Sequence, residues 1–126
     1  MKHNRTFTWI AIAFLLLTVW VAPVFANKSS ISIEAPDAVS KGTEITIKLN
    51  VTHQGNNWFH HTNWVYLKIN GEEVQRWEFT RENKPASENF TLTFTYKVEA
   101  PIEIMAEANC NLHGGQGPAK LKINLK

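Results

Sequence analysis

The residues best suited to chemistry in this chain are one cysteine and the histidines grouped with it. Cys110 is the only cysteine among 126 residues. Of the five histidines, His113 lies three residues after Cys110, and His53, His60 and His61 share one short window. Thiolate and imidazole are strong ligands for transition metals. This grouping predicts a mononuclear metal site made of histidine nitrogens and one cysteine thiolate.

Other kinds of reactive site have no matching pattern in the sequence. There is no nucleophile paired with a base, no phosphate-binding glycine loop and no carboxylate pair. An exported chain with one cysteine cannot form an internal disulfide bond. The thiol is therefore expected to bind a metal, to be buried and inert, or to pair with another chain.

The first 26 residues have the pattern of a secretory signal peptide. Lys2 and Arg5 give a positive start, and the stretch from Phe7 to Phe25 is almost wholly apolar. Cleavage is expected after the small residue Ala26. The alternative is an uncleaved anchor, since the apolar stretch approaches the ~20 residues that span a bilayer. We expect an exported protein, periplasmic or otherwise extracytoplasmic, with one domain at residues 27–126.

The charge of that domain argues against two classes of partner. Without Lys2 and Arg5, the total of Lys and Arg falls from 13 to 11, which equals the 11 Asp and Glu residues. The domain is then near neutral, so its charge indicates neither nucleic-acid binding nor attraction to an acidic membrane surface. We expect no nucleic-acid partner, and no membrane partner once the signal is cleaved.

The elements that must position the ligands are short strands. Period-two alternation of apolar residues predicts about seven strands and no helix. Their expected ranges are Ser30–Glu34, Thr43–His53, Trp64–Ile69, Val74–Phe79, Phe90–Val98, Ile102–Cys110 and Leu121–Leu125. Asn70-Gly71 predicts a two-residue hairpin turn. The expected fold is an all-β, immunoglobulin-like antiparallel sandwich.

Two of the candidate ligands end predicted strands. His53 and Cys110 each continue the apolar face of an alternating strand, so each leaves the core where its sheet ends. The glycine-rich stretch 114–117 lets the backbone turn tightly around His113. This placement predicts a metal site at one end of the sandwich, where loops rest on a rigid scaffold.

The adjacent histidines and their aromatic neighbours are less clearly placed. Neighbouring strand residues point to opposite faces, so only one of His60 and His61 faces the site if pairing begins there. A loop conformation could aim both. Trp58, Phe59 and Trp64 flank this pair, and we expect them to pack in the core or at its rim rather than to form a partner surface.

These motifs together resemble the superoxide reductase family, the desulfoferrodoxin and neelaredoxin group. The run from His60 to Trp64 is similar to its His-x-x-x-Trp strand, and His53 to its His-Pro-Met histidine. Cys110-Asn-Leu-His113 is similar to its Cys-Asn-x-His element. The resemblance implies ferrous iron held by four histidines and an axial thiolate, with one position open for superoxide. It also implies reduction of superoxide to hydrogen peroxide with electrons from an external donor protein.

The chain departs from the family pattern at one ligand. The family's remaining histidine belongs to a Glu-Lys-His-x-Pro loop, and the comparable segment 32–36 has no histidine. The resemblance thus assigns as metal ligands His53, His60, Cys110 and His113, with His61 or a water for the vacancy, and makes Cys110 the catalytic thiolate. The backbone N–H groups of Asn111 and Leu112 are candidate donors of hydrogen bonds to the sulfur.

The lysine of the same family loop is also missing. Superoxide is an anion, so its capture depends on local positive potential. We expect slower capture than in relatives that carry the lysine, and a rate that depends weakly on salt. Lys41 is the nearest cation by sequence, although no pattern places it at the site.

Two other functions remain open. A blue-copper electron-transfer protein could use Cys110 and His113 in its ligand loop, but Pro118 stands about where a methionine commonly follows. A non-catalytic immunoglobulin-like redox accessory or binding module is supported by the missing histidine and lysine, since fold does not fix function. Iron is the expected cofactor, and copper is the less favoured one.

Overall fold

The computed structural model describes residues 28–126, and the predicted signal peptide lies outside this range. Eight strands, β1 to β8, run over Ser30–Glu34, Ala38–Val39, Thr43–Thr52, Thr62–Ile69, Glu72–Glu78, Asn89–Val98, Ile102–Cys110 and Ala119–Leu125. Within the described range no helix is long and apolar enough to cross a membrane.

The strands form two sheets. One has the order β1-β3-β6, and the other has the order β2-β8-β7-β4-β5. All neighbouring pairs are antiparallel except β2 and β8, which pair in parallel. The expected all-β sandwich is confirmed. The eighth strand, Ala38–Val39, was not expected because two residues are too few to show alternation, and it forms by pairing with Asn124 and Leu125.

The core lies where the apolar faces of the two sheets meet. Every second residue is buried along β7 and along most of β3, as the period of a strand requires. The buried side chains on these two strands include Ile45, Ile47, Leu49 and Val51 on β3, and Ile104, Ala106 and Ala108 on β7. Each large aliphatic side chain buried in this way stabilises the fold by about 1.5–3 kcal/mol.

Three strands deliver the candidate ligands to the same end of the sandwich. β3 ends at Thr52, immediately before His53, and β7 ends at Cys110. Thr62 begins β4 and pairs with Cys110, so the segment before β4 lies at this end as well. We call this end, with loops 53–61, 79–88 and 111–118, the site end.

The opposite end, which we call the turn end, carries the predicted hairpin. Asn70 and Gly71 join β4 to β5 with φ values of 51° and 81°, which confirms the tight turn expected from Asn-Gly. Lys41 also lies at this end, just before β3 begins. Since β3 has ten residues at ~3.3 Å each, Lys41 is about 30 Å from the site end.

Candidate metal centre

The site end brings three of the candidate ligands into one compact group. One ligand atom each from His53, His60 and Cys110 lies within 4.8 Å of the other two. His53 and Cys110 are fully buried, and His60 is partly buried. His113 adjoins the group, because its Nδ1 lies 3.7 Å from the Cys110 sulfur. Residues distant in the sequence thus form one nitrogen and sulfur donor set.

The imidazole rings meet edge to face. The ring centroids of His53 and His60 are 5.2 Å apart with an interplanar angle of 79°. Those of His60 and His113 are 5.6 Å apart at 84°. His60 therefore contacts both of the other rings, and of the three imidazoles His53 and His60 belong to the compact group with Cys110.

The electrostatics of His60 favour its neutral form. Burial lowers the pKa of His60, and positive charge on His53, His113 and His61 would lower it further. Its Nδ1 is buried and has no hydrogen-bond partner. An unsatisfied buried polar atom costs about 1–3 kcal/mol, and neutral imidazole is the form that binds metals. The donor set therefore fits a transition metal ion.

Asn56 fixes the proton on His53. The Oδ1 atom of Asn56 accepts the backbone N–H of Thr62 at 2.8 Å and lies 2.9 Å from His53 Nδ1. Its Nδ2 donates to the Ser87 carbonyl at 2.9 Å, so the amide orientation is set by two independent bonds. Because Oδ1 can only accept, His53 Nδ1 must carry the proton. The lone pair of His53 is then on Nε2, where a metal can bind.

Asn57 and Gly55 position His60. Asn57 Oδ1 accepts the backbone N–H groups of Phe59 and His60, at 2.9 Å and 3.0 Å. The backbone N–H of Asn57 donates to the His60 carbonyl at 2.8 Å. Gly55 has a φ of 80°, and a Cβ there would lie 3.5 Å from two atoms of the His60 ring. The turn thus packs its own backbone against the imidazole.

Asn111 joins the two ligand loops. Its Oδ1 accepts the His61 backbone N–H at 3.0 Å, and its Nδ2 donates to the Phe59 carbonyl at 3.3 Å. Its own backbone N–H donates to the His61 carbonyl at 3.1 Å. The expectation that this N–H bonds the Cys110 sulfur is therefore wrong for Asn111. The bond from the Asn111 N–H to the His61 carbonyl instead continues the pairing of β7 with the segment that leads into β4.

Glycines let the chain close behind His113. Cys110 and Gly114 exchange backbone hydrogen bonds of 2.9 Å and 3.0 Å, so the turn between them presents His113 beside the thiol. Gly114 adopts a φ of 76°. A Cβ on Gly115 would collide with the Ala108 carbonyl oxygen. The tight turn expected from this stretch is thus present, and Gly115 additionally permits a close backbone contact.

His61 is buried but stands apart from the compact group. It is 5% exposed, and its Nδ1 is buried without a hydrogen-bond partner. Of the three imidazoles that influence His60, it has the smallest effect. It precedes β4, whose pairing with β7 is irregular between Thr62 and Trp64, so strand phase does not determine its face. Its role as a supplementary ligand stays a prediction.

The sequence interpretation missed several features around the ligands. Trp58 and Phe59 were expected to pack, but they are 49% and 80% exposed, because they stand at the tip of a loop held by backbone bonds. The sequence did not indicate the role of Asn56 beside His53, since asparagine is common in loops. The position of Asn111 beside the cysteine was the only hint of its role.

Comparisons with known proteins agree with this geometry. A family model described as desulfoferrodoxin matches residues 24–115, a range that contains all four candidate ligands. Neelaredoxin from Megalodesulfovibrio gigas is 32% identical over 101 residues, which is 66% of this chain and 77% of that protein.

Solved structures extend the likeness to the fold. The superoxide reductase (neelaredoxin) from Ignicoccus hospitalis has a TM-score of 0.64 and 25% identity, covering 77% of this chain and 80% of that one. A CARDB domain from Pyrococcus furiosus, solved in complex with di-metal ions, has a TM-score of 0.60 at 18% identity. The match covers 80% of this chain and 94% of the CARDB domain, and at this identity it shows a shared fold alone.

Proposed function

The chain belongs to the desulfoferrodoxin family, and from this premise we propose that it reduces superoxide to hydrogen peroxide at an iron centre. Iron is the cofactor of this family, and copper is the minor alternative. The ligands we propose are His53, His60, Cys110 and His113. The observation that carries the proposal is the convergence of imidazole nitrogens and the only thiol within 4.8 Å at the site end.

The residues of the chain prepare this site in three ways. Asn56 holds His53 in the tautomer that leaves Nε2 free. Burial and neighbouring imidazoles keep His60 neutral, as a ligand requires. Cys110 must lose its thiol proton on metal binding, and its thiolate then pushes electron density toward the metal.

The reaction needs one electron and two protons for each superoxide. When bound, ferrous iron supplies that electron and an open coordination position. The chain has one cysteine and so no four-cysteine centre that could store a replacement electron. We therefore propose an external electron-donor protein as the second partner, with superoxide as the substrate.

The site end offers little net charge to guide the anion. Arg81 and Lys84 lie on loop 79–88 with Glu82 and Glu88, and Lys28 adds one further positive charge. Lys41 lies at the turn end and cannot act here. We propose that capture is slower than in relatives with the lysine loop, and that its rate falls only weakly as salt is raised.

The cellular location that we propose is outside the cytoplasm, in the periplasm or an equivalent compartment. The support is the positive start followed by the apolar segment of residues 7–25. Superoxide arising outside the cytoplasm would then be the substrate that this protein meets.

The proposed reaction is tested with a superoxide pulse applied to the anaerobic ferrous protein. We expect one iron to be oxidised and one hydrogen peroxide to form for each superoxide consumed. The same pulse applied to Cys110→Ser supplied with the same iron should give no such stoichiometric oxidation. If bound ferrous iron in the unaltered protein stays reduced, the reductase proposal is wrong, and electron transfer or a non-catalytic accessory role becomes the better assignment.

A further inference from the structure

The exposed large apolar side chains of the described residues all lie at the site end. They are Trp58, Phe59 and Leu112, at 49%, 80% and 64% exposure. Phe59 immediately precedes His60, and Leu112 immediately precedes His113, so the patch lies on the loops that carry two of the proposed ligands. The two loops are in contact, since Asn111 Nδ2 donates to the Phe59 carbonyl. We call these three residues the apolar tip.

The apolar tip has chemistry suited to the surface of a lipid bilayer. The Arg81 guanidinium lies over the Trp58 ring, 5.2 Å from its centroid. Tryptophan is enriched where membrane meets water, because its ring is apolar and its N–H is polar. Arginine beside it can reach phosphate headgroups while its stem stays on apolar surface. An exposed apolar patch with polar groups at its rim is typical of an interaction site.

The first described residues of the chain also lie at the site end. Ser29 is buried at the site end, where its backbone N–H donates to the Gly114 carbonyl and its carbonyl accepts from Gln116. Its hydroxyl also bonds that of Thr62 at 2.9 Å. Three residues lie between Phe25, the last of the apolar segment, and Ser29, so four Cα-to-Cα steps join the two. Fully extended, they reach at most about 14 Å.

This tether limits where the domain can stand. If residues 7–25 cross a bilayer, Ser29 cannot lie farther than that reach from the end of the segment. The site end would then face the headgroup layer, which begins at the edge of the hydrocarbon core. Because the anchor would already hold the domain at the bilayer, the tip would meet lipid at a high effective concentration. A few apolar side chains then suffice to keep the tip in the interfacial layer.

We propose that residues 7–25 remain attached as a membrane anchor and that the apolar tip rests in the interfacial layer of the same bilayer. The metal centre then opens toward the membrane surface. The proposal adopts the alternative in which the apolar segment is not cleaved from the domain. It does not depend on the reaction assigned to the metal centre. The electron donor would have to approach along the membrane surface.

The first experiment measures contact between the tip and lipid. The full chain, with Trp9 and Trp20 replaced by phenylalanine, is reconstituted into phosphatidylcholine and phosphatidylglycerol vesicles that contain brominated phosphatidylcholine. We expect lipid quenching of tryptophan fluorescence, and Trp58→Phe should remove most of it. The matched control is Trp77→Phe, because the Trp77 ring packs against the core and should not contact lipid.

A second variant tests the apolar character of the tip. Phe59→Ser with Leu112→Ser changes two exposed side chains, so the fold is not at risk, and Trp58 quenching should fall several-fold. If Trp58 is as accessible to aqueous iodide in vesicles as in detergent, the tip faces water or a protein partner, and the proposal is overturned. Recovery of native protein cut after Ala26 would also overturn it, whereas an intact start supports the anchor.

Discussion

The two ends of the sandwich are built in different ways. At the turn end, two residues reverse the chain between β4 and β5, and Asn70 exchanges hydrogen bonds with Glu103 across to β7. At the site end, loop 53–61 joins β3 to β4 through backbone and side-chain bonds made by Asn56, Asn57 and Asn111. Local backbone preference is enough to predict the first connection, which Asn70 then ties to Glu103. The longer second connection takes its shape mainly from side-chain bonds, several of them to partners distant in the sequence.

Because the two ends are built differently, we expect the stability of the fold and the properties of the metal centre to respond to different substitutions. A change at the turn end should weaken the fold without altering the metal centre. A change among the ligands or their asparagine partners should alter the centre before it alters the fold. Paired variants at the two ends therefore test whether the two properties are independent.

The largest effect is expected from Cys110→Ser. The visible absorption band that arises from thiolate-to-iron charge transfer should disappear, because serine cannot supply the sulfur ligand. The domain should still fold, since Cys110 is a free cysteine and no disulfide is lost. Circular dichroism checks the fold, and absorption of the oxidised protein checks the band. A band that persists in this variant would exclude Cys110 as the ligand.

A smaller effect on the metal is expected from Asn56→Ala. It removes the partner that fixes the His53 proton, and loss of such an outer-shell bond typically weakens metal affinity about 10–100-fold. Competition with a chelator measures the change. Asn50→Ala is the matched control, because Asn50 also makes side-chain hydrogen bonds but on an outward face of β3. Equal affinities in the two variants would contradict the role given to Asn56.

Gly115→Ala should be the most damaging of the glycine substitutions. The new Cβ would collide with the Ala108 carbonyl, and relief of such overpacking costs about 1–3 kcal/mol. Gly71→Ala is the control at the turn end, where the added Cβ meets nothing and only the left-handed backbone, at about 1–2 kcal/mol, opposes it. Urea unfolding compares them. Gly115→Ala should also weaken iron binding, whereas Gly71→Ala should leave it unchanged.

His61→Ala tests the vacancy left by the missing family histidine. If His61 supplements the iron, its removal should shift the visible band or lower iron affinity, and His60→Ala should have the stronger effect because His60 belongs to the compact group. The measurement is an iron titration followed by absorption. A spectrum identical to that of the unaltered protein would leave His61 as a buried structural residue.

The smallest effect is expected on the pKa of Tyr66, which forms a part-buried hydrogen bond with Glu107 away from the centre. Burial first, and then the hydrogen bond and charge of Glu107, raise the pKa of Tyr66 to about 12. A raised pKa favours the protonated phenol in the fold, so this stability is complete below pH ~10 and is lost as pH rises through about 12. Tyrosinate absorbance in a Tyr96→Phe background measures it. Glu107→Gln should lower the pKa only in part, because burial remains.

The strands that build the fold could be predicted because their signal is local. β1 and β7 have the bounds that alternation indicates, and the Asn70-Gly71 turn follows from backbone preference. β2 could not be predicted, since its two residues become a strand only by pairing in parallel with the end of β8. Its existence depends on tertiary structure rather than on its own sequence.

The sequence predicted which residues converge at the candidate site, but not the side chains that support them. Cysteine and histidine are rare, so their grouping carries information. The partners of Asn56 lie up to 31 residues away in the sequence and leave no pattern. The exposure of Phe59 was missed for a related reason, because an apolar side chain beside a ligand is expected to pack until the loop that carries it is seen.

The most direct test of the central claim is X-ray absorption at the iron edge of the reduced, iron-loaded protein. We expect one sulfur scatterer, several imidazole nitrogens and one iron per chain, with the sulfur scatterer absent from Cys110→Ser. Iron bound only by nitrogen and oxygen atoms in the unaltered protein would contradict the assignment of Cys110, and with it the account of the site end as a thiolate-ligated iron centre.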